Sequence, residues 1–419
     1  MKAASITSGQ QSQSNRWLER LCKNLVLRQF SQAKIGKLVL IDGDEKVAFG
    51  SESEKEKIAE IHVIHPTAYA KVLFGGTIGA GEAFMQRDWD SPNLLNVIEF
   101  FLANEAELGN MESRFSALRK YVLSFFELFN GNSVRGAKKN IRAHYDLNNV
   151  FFSLFLDSSM MYSSAIFADK SQTLEDASAN KLDHICNRLG LSSDDHLIEI
   201  GTGWGGLAIH AASNYGCRVT TTTISNEQYE YATAKVASLG LSERITVLNK
   251  DYRQLEGSYD KLVSVEMIEA VGHRYMKSFF QKCNSLLKEN GVALIQAITT
   301  GDHRFEREKD KVDFIRKYIF PGGCLPSNAL ISSMLAAHTN MHSIGYEDIT
   351  FHYADTLAHW RKRFLGALDE VTNLGFDDVF VRMWHFYLAY CEGGFRQRAI
   401  HTGQFLFAKP QCRLLPKVG

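Results

Sequence analysis

Two hydrophobic periods alternate along residues 197–300. Short apolar, β-favouring runs sit in LIEIGTGWGG (197–206), RVTTTT (218–223), RITVLNKDYRQL (244–255), YDKLVSVEMIEAVGH (259–273) and NGVALIQAITT (290–300). Segments of helical spacing separate them, such as LAIHAASNYG, which stops on Gly216. Strands alternating with helices predict an α/β domain of the Rossmann-like kind, a mostly parallel sheet covered on both faces. In such sheets ligands bind beyond the carboxyl ends of the strands. Asp251 and Tyr252, Glu266 to Glu269, and Gln296 to Thr299 all fall at those ends.

The first of these runs carries the strongest local signal. A buried strand ends at Glu199 and passes into a turn bearing Gly201, Gly203, Gly205 and Gly206. Glycines there remove the Cβ atoms that would keep a ligand from the backbone. The spacing Gly-x-Gly-x-x-Gly admits a dinucleotide, and a tight turn alone would also use these glycines. A dinucleotide site, however, expects a ribose-binding acid about 20 residues on, where this chain has threonines. Asp251-Tyr252, after the third strand, suits the edge and face of an adenine. These features favour S-adenosylmethionine.

The amino-terminal third reads differently. KIGKLVLIDGDEKVAFG places Asp-Gly between apolar runs, a hairpin signal. AEIHVIHP follows as a strand ended by Pro66, and NLLNVIEFFLANEAEL has helical spacing. Residues 1–15 are polar, without the apolar stretch of a secretory signal, and are expected to form a disordered tail. Residues 16–130 form one expected domain, 131–143 a basic linker and 144–412 a second domain. On a helix, residues 111–129 would gather Phe115, Leu118, Val122, Phe125, Phe126 and Phe129 on one face. That face either packs on the core or lies on a lipid surface. His62 and His65 have two residues between them and no third ligand nearby, so a solvated edge position is preferred to a metal site.

Composition narrows the function classes. The chain has 419 residues, 47 basic and 47 acidic, so no net charge draws it to nucleic acid. Its apolar runs are far shorter than the ~20 residues of a membrane-spanning helix. Seven scattered cysteines with no Cys-x-x-Cys pair argue against a disulfide framework and a zinc site, and fit a cytoplasmic location. Cys324, with no activating base identifiable beside it, reads as a buried loop residue.

Several motifs now act together: HYDLNNVFFSLFLDSSMMYSSAIF (144–167), the glycine turn, TTISNEQYEYA, KDYRQL, EMIEAVGH, KYIFPGGCLPS (317–327), FHYADTLAHWRKRF and FYLAYCEGGFRQRAIHTGQFLFAKP. In these the chain resembles the cyclopropane-fatty-acyl-phospholipid synthases and the related mycolic acid cyclopropane synthases, strongly over 140–410. The resemblance implies that residues 16–130 form a lipid-binding domain. It also implies S-adenosylmethionine as co-substrate, unsaturated phospholipids at the membrane surface as substrate, a peripheral place on the inner membrane face, and a homodimer.

The implied reaction adds a methylene across a cis double bond. An alkene is a weak nucleophile and needs an electrophilic methyl group held in line. Methyl transfer leaves a carbocation, so the site must exclude water and hold a base. Aromatic walls from FFSLFLDSSMMYSSAIF and HFYLAY are expected. By resemblance, Gly201, Gly203 and Glu199 line the cofactor, and Tyr162 and Ser163 meet its methionine end. Thr223, Ile224 and Gln228 lie by the ribose, and Asp251 and Tyr252 by the adenine. Glu269 holds a bicarbonate ion that acts as base, Tyr353 shares that anion site, and Ile298 offers a backbone contact. Glu266 is expected to be a cofactor or structural contact sharing a helical face with Glu269. His144 belongs to the domain junction, with Tyr145 near the lipid.

Two positions depart from the best-known members. Ser164 stands for a cysteine and Gln296 for a histidine, and Gln296 cannot titrate. Ring closure is therefore set beside a methyl-branched or furan product. A non-catalytic lipid-binding protein and a soluble small-molecule methyltransferase are the remaining alternatives.

Overall fold

A computed structural model describes residues 7–51, 58–108 and 148–413. These residues fall into two compact units. One comprises Met1–Leu147, Val312–Ile319 and Leu368–Gln397, and the other Asn148–Lys311, Phe320–Ala367 and Arg398–Gly419. The first unit thus takes two stretches from the range expected to be catalytic, including HFYLAY within the helix Asp378–Arg396. The segment 111–129, the linker, His144 and Tyr145 lie outside the described residues.

The first unit carries a four-stranded sheet ordered β2-β1-β3-β4. Strands β1 (Lys37–Asp42) and β2 (Glu45–Gly50) pair antiparallel with Asp42 opposite Glu45, which leaves a two-residue turn. This is the hairpin that Asp-Gly announces: Gly43 sits at φ 59° and Asp44 is not left-handed, which fits a type II′ turn with glycine as its first loop residue. Strand β3 (Ile58–Val63) runs parallel to β1, and β4 (Trp89–Asp90) closes the edge. His62 pairs with Glu60 beside it on β3. A helix runs from Thr7 to Phe30, with Cys22, Val26 and Phe30 buried at four-residue spacing, and part of the expected tail falls within its range.

Arg382 staples this unit internally. Only 8% exposed, it donates from Nε to the Phe84 carbonyl (2.6 Å) and from Nη2 to the Trp89 carbonyl (3.2 Å). Its guanidinium carbon lies 3.8 Å from the centroid of the Phe84 ring. The Phe84 carbonyl belongs to the last turn of the helix Thr67–Met85, where a cation meets the negative end of the helix dipole.

The second unit carries seven strands ordered β10-β11-β9-β8-β5-β6-β7. They are β5 (His196–Ile200), β6 (Arg218–Thr223), β7 (Ile245–Asn249), β8 (Tyr259–Val265), β9 (Leu287–Thr300), β10 (His342–Asp348) and β11 (Ile400–Ala408). From β5 to β9 every pairing is parallel, and β11 and β10 add antiparallel strands at one end. Burial alternates with period two. Ile198, Leu262, Ala293, Ile295, Phe405 and Phe407 form the core on one face. Leu197, Val263, Val292, Leu294 and Leu406 form it on the other. Chain order runs outward from β5 through β6 to β7, then returns to place β8 on the opposite side of β5. This reversal makes the carboxyl end of β5 the switch point at which connections diverge and a crevice opens. The glycine turn leaves from that end.

Local signals frame the helices around it. Thr173 caps the helix Leu174–Leu189 through the Asp176 N–H, and Gly190 ends it in the left-handed region at φ 60°. Ser225 caps the helix Asn226–Ser238 through the Gln228 N–H.

The staple is open to test. Arg382→Leu leaves two buried carbonyls without their donor and should cost about 2–4 kcal/mol. A fall in the urea midpoint, followed by circular dichroism, is the expected outcome, and an unchanged midpoint would remove Arg382 from this role.

Candidate active site

The turn after β5 approaches the crevice with bare backbone. Gly201 stands at φ 105° and Gly203 at φ 52°. A Cβ on Gly201 would lie 3.2 Å from Met267 Cγ, whereas one on Gly203 would point into open space. Glu199 is buried, and its carboxylate accepts from Thr221 Oγ1 at 2.6 Å on the neighbouring strand β6. Thr202 Oγ1 lies 2.7 Å from the same Thr221 hydroxyl. The threonines that argued against a dinucleotide acid therefore hold the acid of the preceding strand.

Further along the crevice, Thr223 at the end of β6 donates to Gln228 Oε1 (2.8 Å), while the Ile224 side chain is exposed. Asp251, expected to lie by the adenine, carries a local ion pair. Its carboxylate takes the Arg253 backbone N–H at 2.9 Å and the guanidinium at 2.9 and 2.5 Å, which holds it below the usual carboxylate range. The cause is local: an arginine two residues on, around a single 3-10 turn (Tyr252–Gln254), reaches back more readily than any distant group. The Tyr252 ring leans on Phe279 at 5.6 Å.

Across the crevice, the segment after residue 148 supplies aromatic rings. Phe152 packs on Trp204 (4.9 Å between centroids) and on Tyr162 (5.3 Å), and Tyr162 on Trp360 (5.3 Å). Tyr353 meets Trp360 edge-on at 6.1 Å. Within this unit the helix Thr350–Gly366 and Phe320, which lies 6.2 Å from Tyr162, extend the wall, while HFYLAY belongs to the first unit.

Three carboxylates gather at the strand ends. Glu266 follows β8 with φ 49°, a left-handed conformation that a non-glycine residue adopts at a cost. It therefore precedes the short helix Ile268–Val271 and does not share a helical face with Glu269. Its Oε1 accepts from the Ser164 N–H (2.9 Å) and Gln296 Nε2 (2.8 Å), and its Oε2 from the Tyr353 hydroxyl (2.7 Å). So the residues expected around Glu269, namely Tyr353 and Gln296, turn to Glu266. Ser164 joins them through its backbone only, because its hydroxyl donates to the Ala165 carbonyl at 2.9 Å. Glu269 Oε1 accepts from the Ile298 N–H, as the backbone contact was expected to provide, and its Oε2 is buried without a partner. Cys324 is buried, and its N–H donates to the Glu269 carbonyl at 2.8 Å, which ties the loop to the short helix.

One buried cation faces this group. Lys181 is fully buried and its Nζ donates to Ser163 Oγ at 3.0 Å. Burial pushes it down to about 8, against the charges of Glu266, Asp157 and Glu199. Burial pushes Glu199 up to about 8, opposed by Thr221 and Lys181. Glu269 also rises to about 8, through burial and then through the charge of Glu266. Glu266 is raised by burial as well, opposed by its three donors and by the charge of Lys181.

Lys181 was missed by motif reading, yet a signal was present. In LEDASANKLDHICNRL it falls on the buried stripe of Leu174, Ala177, Ser178, Leu182, Ile185 and Leu189. A lysine at such a position needs a buried partner.

A parallel sheet with a glycine turn at its switch point and an acid-lined crevice defines an α/β methyltransferase domain of the S-adenosylmethionine-dependent kind. Residues 132–405 match the family described as mycolic acid cyclopropane synthetase. The chain belongs to that family. It is 38% identical to tuberculostearic acid methyltransferase UfaA1 of Mycobacterium tuberculosis, covering 94% of this chain and 90% of that one. It is 35% identical to the cyclopropane-fatty-acyl-phospholipid synthase of Escherichia coli, covering 84% and 88%. Among solved structures, mycolic acid cyclopropane synthase CmaA1 complexed with SAH and CTAB superposes with a TM-score of 0.59 at 31% identity, covering 65% of this chain and 98% of that one.

A Cβ placed on Gly203 meets no protein atom. Gly203→Ala should therefore cost the fold only about 1 kcal/mol. It should weaken S-adenosylhomocysteine binding by about tenfold or more, as a methyl group takes ligand space. Calorimetric titration reads this directly, and unaltered affinity would place the cofactor elsewhere.

Proposed function

We propose that this protein transfers the methyl group of S-adenosylmethionine to the cis double bond of an unsaturated fatty acyl chain on a phospholipid, and that deprotonation at Glu269 closes a cyclopropane ring. The observation that carries this reading is the Glu269 carboxyl group, with one oxygen held by the Ile298 N–H and the other buried and unpartnered. The sulfonium supplies an electrophilic methyl group. The residues do the rest. Glycine backbone at 201 and 203 admits the cofactor, Tyr162 and Trp360 keep water from a carbocation, and the ionised Glu266 opposes its charge.

The orphaned oxygen also fits a bound bicarbonate. A protonated Glu269 has one O–H to give, and that anion has oxygens to receive it. Bicarbonate there would supply the base for ring closure. Tyr353 and Gln296 would contribute less than the resemblance implies, since both already donate to Glu266.

A methyl-branched product is the second reading. It is favoured by the 38% identity over 94% of the chain to a protein named a tuberculostearic acid methyltransferase, and by the absence of a titratable side chain at 164 and 296. No described helix is long and apolar enough to cross a membrane. We place the enzyme in the cytoplasm at the inner membrane face as a homodimer, with residues 16–130 helping to load lipid. The family likeness supports this placement, and two lipid-binding surfaces would add avidity.

Mass spectrometry of cis-monounsaturated phospholipid vesicles, incubated with protein, methyl-deuterated S-adenosylmethionine and bicarbonate, separates the readings. A product with two deuteriums that resists hydrogenation establishes ring closure. Three retained deuteriums establish methylation without closure, and no labelled lipid overturns both. Glu269→Gln should abolish ring formation while S-adenosylhomocysteine affinity stays within about threefold, because the glycine turn is untouched. In the lipid-loaded wild type, if Glu269 must be ionised, the rate should rise with pH through about 8, since a raised acid yields its base form only above its shifted pKa.

A further inference from the structure

A chain of side chains crosses the antiparallel end of the sheet and ends on Glu266. Arg188, on the helix Leu174–Leu189, donates from Nη1 to Glu347 Oε2 (3.1 Å) and to Gln404 Oε1 (3.2 Å). Gln404 Nε2 donates to Gln296 Oε1 at 3.0 Å, and Gln296 Nε2 to Glu266 Oε1 at 2.8 Å. Gln404 and Gln296 are both fully buried and stand directly opposite each other on β11 and β9.

The direction of this chain is not free. A guanidinium has donors only, so Gln404 must turn its oxygen to Arg188 and its amide nitrogen to Gln296. Gln296 must then turn its nitrogen to Glu266. Reversing either amide sets donor against donor and acceptor against acceptor in a buried strand pair, which is costly. Every group reaching Glu266 is consequently a donor: Gln296, the Ser164 N–H and the Tyr353 hydroxyl. That set satisfies a carboxylate. A protonated Glu266 would find only the Tyr353 oxygen to donate to. The titratable groups facing it are Lys181, Glu269 and Tyr353. On the strand side it meets only the glutamine pair.

Space for the arginine is provided. The β10–β11 register shifts between Ser343 and Gly345, and a Cβ on Gly345 would lie 3.2 Å from Arg188 Nη2. The left-handed backbone at Glu266 is a second sign that the surroundings fix this residue rather than accommodate it.

We propose that Glu266 is the permanently ionised anion of the site, and that Arg188 and Gln404 are remote positioning residues that hold it so through a one-way relay. The ionised Glu266 orients Tyr353, keeps Glu269 protonated in the free site and offers a fixed negative charge to the cation formed by methyl transfer. The catalytic consequence rests on the function proposed above. The ionisation and the relay do not.

The test uses the full chain in two readouts. Isotope-edited infrared difference spectra between wild type and Glu266→Gln, taken without lipid over about pH 5–9, report the protonation of Glu266 itself. A carboxylate band at neutral pH is expected in wild type. In Arg188→Met and Gln404→Leu the titration should move upward by about one pH unit, because the Gln296 amide is then free to turn. Arg188→Lys, which keeps a donor, should return most of the shift. In lipid methylation, Arg188→Met and Gln404→Leu should lower kcat about tenfold, with the acidic limb of the pH profile displaced upward and S-adenosylmethionine affinity kept. A purely structural role would lower thermal stability and leave both profiles in place. A protonated Glu266 in neutral wild type, or unmoved titration and pH profile in Gln404→Leu, overturns the proposal. Expected infrared behaviour without methylation of any lipid by wild type would instead overturn the proposed function and leave the relay standing.

Discussion

The second unit is organised around the cost of gathering like charges out of water. Glu199, Glu266 and Glu269 meet at the carboxyl edge of one sheet, with Lys181 as a fully buried cation facing them. A carboxylate in such a place survives only if donors surround it or if it keeps its proton. Both solutions occur side by side. Glu266 has three donors, while Glu269 has one and an orphaned oxygen. The difference gives two residues three apart in sequence different chemical capacities, since one is surrounded by donors and the other keeps an oxygen open.

The topology explains how the donors arrive. Each comes from a different element: Thr221 from β6, Gln296 and Ile298 from β9, Tyr353 from the helix Thr350–Gly366, and Ser164 from the loop after the segment at 148. A parallel sheet whose connections reverse beside β5 collects these ends in one place. The antiparallel strands β11 and β10 add what a parallel sheet alone would lack, a polar strand pair that reaches from the crevice to Arg188. In the reaction proposed above, a cationic methyl donor and a carbocation would both meet acidic groups already in position, which would lower the reorganisation needed during reaction.

Reading the chain residue by residue shows why some of this was visible beforehand. Strand ends at Ile200, Thr223 and Val265 follow from local period and glycine placement, and Asp-Gly specified its hairpin. The glycine turn and Glu269 lie within continuous motifs. Lys181 was legible in principle, since a lysine on an apolar stripe announces a buried partner, but the stripe does not say which. Arg253, two residues from Asp251, bonds it around a turn too short for the sequence pattern to reveal. HFYLAY falls in the first unit, and aromatic density along a chain carries no information on the unit it joins.

The amino-acid order by itself determined the alternation of strands and helices, the bare backbone after β5 and the residue types available at the strand ends, because period, capping and backbone freedom act over only a few residues. Tertiary structure alone decided which acid is surrounded by donors. Whether Glu266 or Glu269 receives Tyr353 and Gln296 depends on side chains 30 and 87 residues away from Glu266. The direction of the Gln296 amide depends on Arg188, further still through Gln404. Protonation of a partly buried carboxylate is set by the sum of donors and charges around it, and that sum exists only once the chain has folded.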